Sequence, residues 1–359
     1  MSLTYLEISN LRNLNSVKLY PAADLNLIIG DNAAGKTSIL ESIYFLSVAR
    51  SFRSLYIKNV IQEGYDCLRV IAKQKIHHRH SENIIGVEKG HKYSKFRING
   101  ETINQLSKLA SYLPVQLIHP EGHNLLEQGP KQRRKFIDWG VFHVEPEFLN
   151  LWQQFTRILK QRNAALRSKQ SGNSIKLWDG GFVKYGNKIT ELRKQYLKEL
   201  TPYINKYCHL IFNRTVILKY RQGWSQDCTL IDTLQNQLEV DINQGFTHSG
   251  PQRAELEIYS ENRLVQNYFS RGQQKLLVSA LRLAQMDHLK SRSDKFSVLL
   301  VDDLAAELDL THRNNLIAAA LASKAQIFVT LTEPGLLSLP DNIDKKVFHV
   351  KHGNVFEVV

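Results

Sequence analysis

The sequence predicts an α/β fold in which a phosphate-loop core carries an antiparallel side sheet and is joined to a mostly helical second lobe. Three observations predict it. Residues 30–37 read Gly30-Asp31-Asn32-Ala33-Ala34-Gly35-Lys36-Thr37, the spacing G-x-x-x-x-G-K-[ST], between the apolar run Leu25-Asn26-Leu27-Ile28-Ile29 and a helical run from Ser38 to Ser47. From about residue 121 the apolar period becomes 3.6. Near the C-terminus a second apolar strand, Phe296 to Val301, ends in two acids, Asp302 and Asp303. The predicted organisation is core over 1–120, helical lobe over 121–252, and core again over 253–359.

The N-terminal stretch reads as strands. Leu3 to Ile8 suits a first strand rather than a signal peptide, and Val17 to Tyr20 and Leu25 to Ile29 flank the turn Pro21-Ala22-Ala23-Asp24. The phosphate loop follows. Gly30 and Gly35 let the amides of Asp31, Asn32, Ala33 and Ala34 turn inward onto phosphate, and the helix opening at Lys36-Thr37-Ser38 adds its positive end. Lys36 can reach the β- and γ-phosphates of ATP, and the Thr37 hydroxyl can hold Mg²⁺. Further short strands are expected at Cys67–Ala72, Asn83–Glu88, Tyr93–Ile98 before an Asn99-Gly100 turn, and Leu113–Ile118.

In the helical lobe Phe148, Trp152, Phe155 and Leu159 recur at three and four residues, as do Ile189, Leu192, Tyr196 and Leu200. These read as packing positions rather than a base-stacking platform. The stretches 168–174 and 180–186, rich in Gly, Ser and Asn, are expected to interrupt the helices. Between 131 and 169 cations outnumber acids by six, most densely at Lys131-Gln132-Arg133-Arg134-Lys135. That cluster suits phosphates, a wet helix face or internal ion pairs. The strand expected at Arg253–Tyr259 would return the chain to the core.

Ser270 precedes a helix carrying Leu276, Leu277, Ala280 and Leu281, so it is a candidate N-cap offering a hydroxyl and amides at a positive helix end. The strand 296–301 supplies the acid a phosphate loop needs: Asp302 for Mg²⁺, directly or through water, and Asp303 to polarise attacking water. A helix is expected over Leu308 to Ala322.

A length of 359 residues allows two domains, and 43% hydrophobic content suffices for their cores. No apolar run of 18 residues exists for a membrane span, and three distant cysteines, Cys67, Cys208 and Cys228, suit a reducing cytosol. A net charge of +13 points to a polyanion surface, nucleic acid or an anionic membrane, without separating the two.

Taken in order, these segments resemble the SMC/Rad50-like ABC ATPases, and most closely the RecF family. The resemblance rests on Tyr5 to Asn13, the phosphate loop with Leu40 to Tyr44, Arg50-Ser51-Phe52-Arg53, Gly129 to Asp138, Ser270-Arg271-Gly272-Gln273-Gln274-Lys275, and Leu300 to Asp309. It implies an ABC-type ATPase head with a short helical lobe, ATP and Mg²⁺ as ligands, and slow hydrolysis. Ser270, Gly272, Gln273 and Lys275 would form a signature motif closing on ATP held by a second copy, in an ATP-dependent homodimer. Arg50 and Arg53 would sense DNA or the partner copy, and Glu307 and Asp309 would couple the two sites. The family binds duplex and gapped or single-stranded DNA, works with RecR and RecO, and so loads RecA at gaps; no membrane is implied. Ala33 stands where a glycine is common, and no switch histidine follows the strand Ile327–Leu331, so Thr330 or Thr332 is expected to approach the γ-phosphate instead. An ABC-like ATPase acting on a protein or RNA partner is the alternative.

Overall fold

The computed structural model describes residues 2–75, 82–293, 295, 297–303, 308–337, 339–340 and 342–358. Phe296 and Glu307 lie outside that set. Eight strands are described in the first 122 residues: β1 (Ser2–Leu11), β2 (Leu14–Leu19), β3 (Leu25–Ile29), β4 (Cys67–Lys75), β5 (Glu82–Gly90), β6 (Ser94–Ile98), β7 (Glu101–Ile103) and β8 (Val115–Ile118). Then come β9 (Ile217–Arg221), β10 (Glu255–Ser260), β11 (Arg263–Leu264), β12 (Val298–Val301), β13 (Gln326–Leu331), β14 (Lys345–Lys351) and β15 (Asn354–Val358).

The chain forms two compact units, one from residues 1–122, 207–213 and 275–359, the other from 123–206 and 214–274. In the first, β2-β1-β4-β5-β6-β7 make an antiparallel side sheet. The order β15-β14-β3-β13-β12-β8 makes the core sheet, parallel except for β15. Every residue of β3, β12 and β13 is buried, as parallel strands covered on both faces require. β4 instead alternates, with Leu68, Val70 and Ala72 buried and Arg69 and Lys73 exposed, the pattern of a sheet with one wet face. One apolar cluster joins both sheets to the helix Lys36–Val48, whose Ile39, Leu40, Ile43, Phe45 and Leu46 are all fully buried.

The second unit is built on the helices Pro130–Val144, Phe148–Arg167 and Asp179–Phe212, the last running on into residues of the first unit, with a small sheet β11-β10-β9. Phe148, Phe155, Ile189, Tyr196 and Leu200 are core residues, as the spacing predicts. Two expectations change. Residues 180–186 do not interrupt a helix; they are its first turns. A Cβ on Gly181 would lie 2.7 Å from Ile158, and one on Gly186 3.1 Å from Leu230, so these glycines allow close helix approach instead of marking a break. The strand predicted at 253–259 does not return the chain to the core sheet. It pairs with β9 and β11, and the boundary falls between Gln274 and Lys275, not 252 and 253. Strand periodicity shows which face is buried, not which sheet is joined.

Candidate functional site

The C-terminal ends of the parallel strands gather the predicted groups, as open α/β sheets do. β3 delivers Gly30, whose φ is +148° and whose Cβ, if present, would sit 2.3 Å from the Val350 carbonyl oxygen. Gly35, at φ +122°, starts the helix. Between them Ala33 adopts φ +64°, the left-handed region. That is why a glycine suits this place: the requirement is on the backbone, not on side-chain size.

The turn between β1 and β2 braces the loop from outside. Asn13 donates from Nδ2 to the Ala34 carbonyl at 2.9 Å and accepts from the Ser38 hydroxyl at 3.1 Å, while the Gly353 amide donates to the same Ala34 oxygen. Ser38 thus supports the loop from its helix side. Arg12 makes a two-pronged ion pair with the fully buried Glu41, 3.0 Å on each arm, and Ser51 and Arg53 converge on that carboxylate too. Arg12 and Asn13 line the nucleotide cleft, and the sequence motifs left both without a role. Their one local signal is positive φ at Asn10 and Arg12, a backbone property that residue spacing does not encode.

Lys36, Thr37, Asp31, Asn32, Asp302 and Asp303 face one cleft of ≈ 500 Å³. The Lys36 ammonium donates to the carbonyls of Gly30 (2.6 Å) and Asp31 (2.9 Å). Burial holds its pKa below the ordinary lysine value, while Asp303, Asp302 and Asp31 pull it back up. Thr37 donates to Asp302 Oδ1 at 2.9 Å, so the hydroxyl and carboxylate predicted to share Mg²⁺ are in contact. Hard oxygen donors of this kind, beside a loop that admits no Cβ at Gly30, fit Mg-ATP.

Thr330 differs from expectation. Fully buried in β13, it donates to Asp302 Oδ1 at 2.8 Å and accepts the Asp303 amide at 2.8 Å, so it holds the two acids in place rather than reaching for phosphate. Thr332 lies exposed beyond the strand. Asp303 sits at φ +50°, a region Asp and Asn enter more easily than Glu, which accounts for the shorter second acid. Burial raises the Asp302 pKa above the carboxylate norm; the Thr330 and Thr37 hydrogen bonds lower it, Asp303 raises it, and Arg53 lowers it. Removing a stabilising donor must push it further up. Thr330→Val is therefore expected to shift the acidic limb of the ATPase pH profile to higher pH; an unmoved limb would separate Thr330 from Asp302.

Ser270 is exposed at the start of the helix Arg271–Ser293 and forms a reciprocal capping box with Gln273: its Oγ accepts the Gln273 amide at 3.3 Å, and its amide donates to Gln273 Oε1 at 3.0 Å. The oxygen is engaged as an acceptor, which leaves the hydroxyl proton to donate elsewhere. Gly272 sits half-buried beside it, and Lys275 lines a small cavity with Asp302 and Asp303 of its own chain. Asp309 caps the helix Leu310–Ala322 through the His312 amide at 3.0 Å.

The predicted phosphate-contacting cations divide. Arg50 is exposed, and Arg53 lines the nucleotide cleft. Lys131 and Lys135 are exposed one helical turn apart. Arg133 is a correction: it is buried, with two arms on Glu255 at 2.7 Å and a third on the Leu126 carbonyl, so its charge is neutralised internally. Arg134 is half-buried and donates to the Ala254 carbonyl at 2.7 Å. Among the described residues no helix is long and apolar enough to cross a membrane.

A family model described as the RecF/RecN/SMC N-terminal domain matches residues 2–355. The DNA replication and repair protein RecF of Shewanella piezotolerans is 42% identical over 360 residues, covering 99% of each chain. A Shewanella baltica protein of the same name is 41% identical with the same coverage. Among solved structures, that of the recombination mediator protein RecF-ATP in the RecFOR pathway superposes with a TM-score of 0.86 at 24% identity, covering 100% of this chain and 98% of that one. The Smc head domain from Pyrococcus furiosus gives 0.60 at 13% identity, with 99% and 96% covered. The fold is thus the ABC-type ATPase head with a helical lobe that the motifs imply.

Proposed function

The chain belongs to the RecF family of DNA replication and repair proteins, within the RecF/RecN/SMC group, and from that premise we propose an ATP-dependent DNA clamp with slow, DNA-stimulated ATPase activity. The observation that carries the reading is the Thr37–Asp302 contact at the mouth of the phosphate loop. Loop amides and Lys36 would bind the phosphates, and Thr37 and Asp302 would hold the cation, which neutralises phosphate charge when bound. Asp303, fixed by Thr330, would take the proton of the attacking water. A short base and no histidine among residues 332–341, which directly follow β13, leave few groups tuned for the transition state, which supports slow turnover.

ATP acts in this reading as an adhesive between two copies. The Ser270 proton of one chain would reach the γ-phosphate on the Gly30–Thr37 loop of the other, and closure would bring two cationic surfaces around DNA. Hydrolysis would release the clamp. In the same reading the clamp acts with RecR and RecO to load RecA at single-strand gaps, a role that membership of the RecF family supports. Sedimentation at micromolar protein tests the core of this proposal: Mg-ATP is expected to convert monomer to dimer, and an unchanged monomer overturns it.

A further inference from the structure

Within the helical unit, one face of the helix Asp179–Phe212 and the loop that follows β9 line a groove of ≈ 640 Å³ that the nucleotide chemistry does not use. Asn187, Glu191, Lys194 and Lys198 recur along it at three and four residues, so the helix presents a single stripe about 16 Å long. Leu192 adds a buried apolar surface, and Gln222 and Trp224 come from the loop.

The loop is fixed before anything binds. The Gly223 carbonyl accepts the Gly250 amide at 3.2 Å. Gly223 has φ +97°, and a Cβ there would lie 2.2 Å from the Gly250 carbonyl oxygen, so glycine is what seats the loop this closely. Gln222 is buried; it donates to the Ser225 carbonyl at 3.2 Å and accepts from the Lys194 ammonium at 2.8 Å, which ties loop to helix. Trp224 is thereby presented half-buried at the groove. An aromatic wall already held in place loses little entropy when covered.

Charge in the groove is uneven. Lys188 is matched by Glu191 at 3.3 Å and by Glu147 at 3.8 Å. Lys194 and Lys198 are exposed, and among the described residues neither pairs with a carboxylate; Lys194 bonds only the neutral Gln222.

We propose that this groove binds an acidic peptide segment of a partner protein, with two carboxylates on Lys194 and Lys198 and an apolar side chain against Trp224. The inference goes beyond the nucleotide and DNA reading above and does not depend on it. A stripe of this length accommodates about five residues of extended chain. Lys194 and Lys198 stand one helical turn apart, about 6 Å, which matches the ~6.6 Å between alternate residues on one side of a strand. The Asn187 carboxamide, in the same groove, can both give and accept a backbone hydrogen bond. A nucleic-acid strand fits less well. It carries charge at every residue, and Glu191 in the groove and Glu147 beside Lys188 would oppose its phosphates. A peptide places carboxylates only where the cations are.

A random octapeptide library displayed on phage is selected against the full chain, with Mg-ATP and duplex DNA in excess to occupy other cationic surfaces. The recovered peptides are then titrated by fluorescence anisotropy. They are expected to share two acids at alternate positions beside an apolar or aromatic residue. Lys194→Glu/Lys198→Glu should weaken the tightest of them by at least about tenfold, and Trp224→Ala by a similar factor. Both lysines are exposed, so the double variant should keep the wild-type Tm. Lys176→Glu, at an exposed cation outside the groove, should change nothing. Recovered peptides without acids overturn the inference, as do acidic peptides that bind Lys194→Glu/Lys198→Glu within about twofold of wild type. If that variant loses affinity for an oligothymidylate and not for the peptides, the groove belongs to single strands and the inference falls. If it loses self-association by sedimentation and not peptide affinity, the occupant is a second copy, which equally overturns it.

Discussion

Lys36→Ala is expected to lower ATP affinity at least about a hundredfold and hydrolysis by roughly 10²–10³, the scale for removing one preorganised charge from phosphate chemistry. The geometry gives the reason. Lys36 is the cation that counters Asp31, Asp302 and Asp303 in the cleft, each of which raises its pKa against the effect of burial. Without it, a triphosphate would meet three acids with the loop amides and the cleft arginines Arg12 and Arg53, the first of them already paired with Glu41. Lys36→Arg should not rescue, because a compact ammonium already fits between the Gly30 and Asp31 carbonyls, and a planar guanidinium is broader. Nucleotide titration by calorimetry provides the check; affinity within tenfold of wild type would remove Lys36 from phosphate binding. A pH dependence goes with it. Because burial lowers the Lys36 pKa, the ammonium is lost as pH rises before the ordinary lysine value is reached, so ATP affinity should begin to fall on the alkaline side earlier than for an ordinary lysine. The fall should be absent in Lys36→Ala.

Much of the nucleotide site was readable because it is local. Eight consecutive residues, a preceding apolar strand and a following helix specify the phosphate loop, and an apolar strand ending in two acids specifies its partner. What stayed hidden is long-range or conformational. Nothing near Thr330 says that its hydroxyl will meet Asp302, 28 residues earlier, and positive φ at Ala33 and Asp303 is a property of the turn they complete. The end of the helical lobe was misplaced for the same reason: β10 looks like any alternating strand until its partners, β9 and β11, are known.

Charge was the least legible feature, and the largest stability effect follows from it. Arg162 counts in sequence as one more cation on a basic helical segment. In the fold it is fully buried. Its Nε donates to Asp179 at 2.9 Å and its Nη1 to Asp241 and Thr247 at 2.7 and 2.8 Å. Asp241, also fully buried, accepts from the His248 amide and contacts His248 Nδ1 as well, so one guanidinium ties the helix Phe148–Arg167 to segments 17 to 85 residues away. Removing it leaves two buried carboxylates without their cation, which costs about 3–5 kcal/mol when a buried pair is broken from one side. Arg162→Ala should therefore lower Tm by on the order of 10 °C, with ATP binding retained below the transition because the phosphate loop lies in the other unit. Arg162→Lys should recover only part of the loss, since a single ammonium cannot present the planar fork that meets both aspartates. A Tm within about 2 °C of wild type for Arg162→Ala, well under the shift one broken buried pair requires, would show that Asp179 and Asp241 are satisfied without it. Surface arginines offer the contrast: Arg157 and Arg167, on the same helix but exposed, should each change Tm little on substitution, since exposed charges contribute at most about 1 kcal/mol.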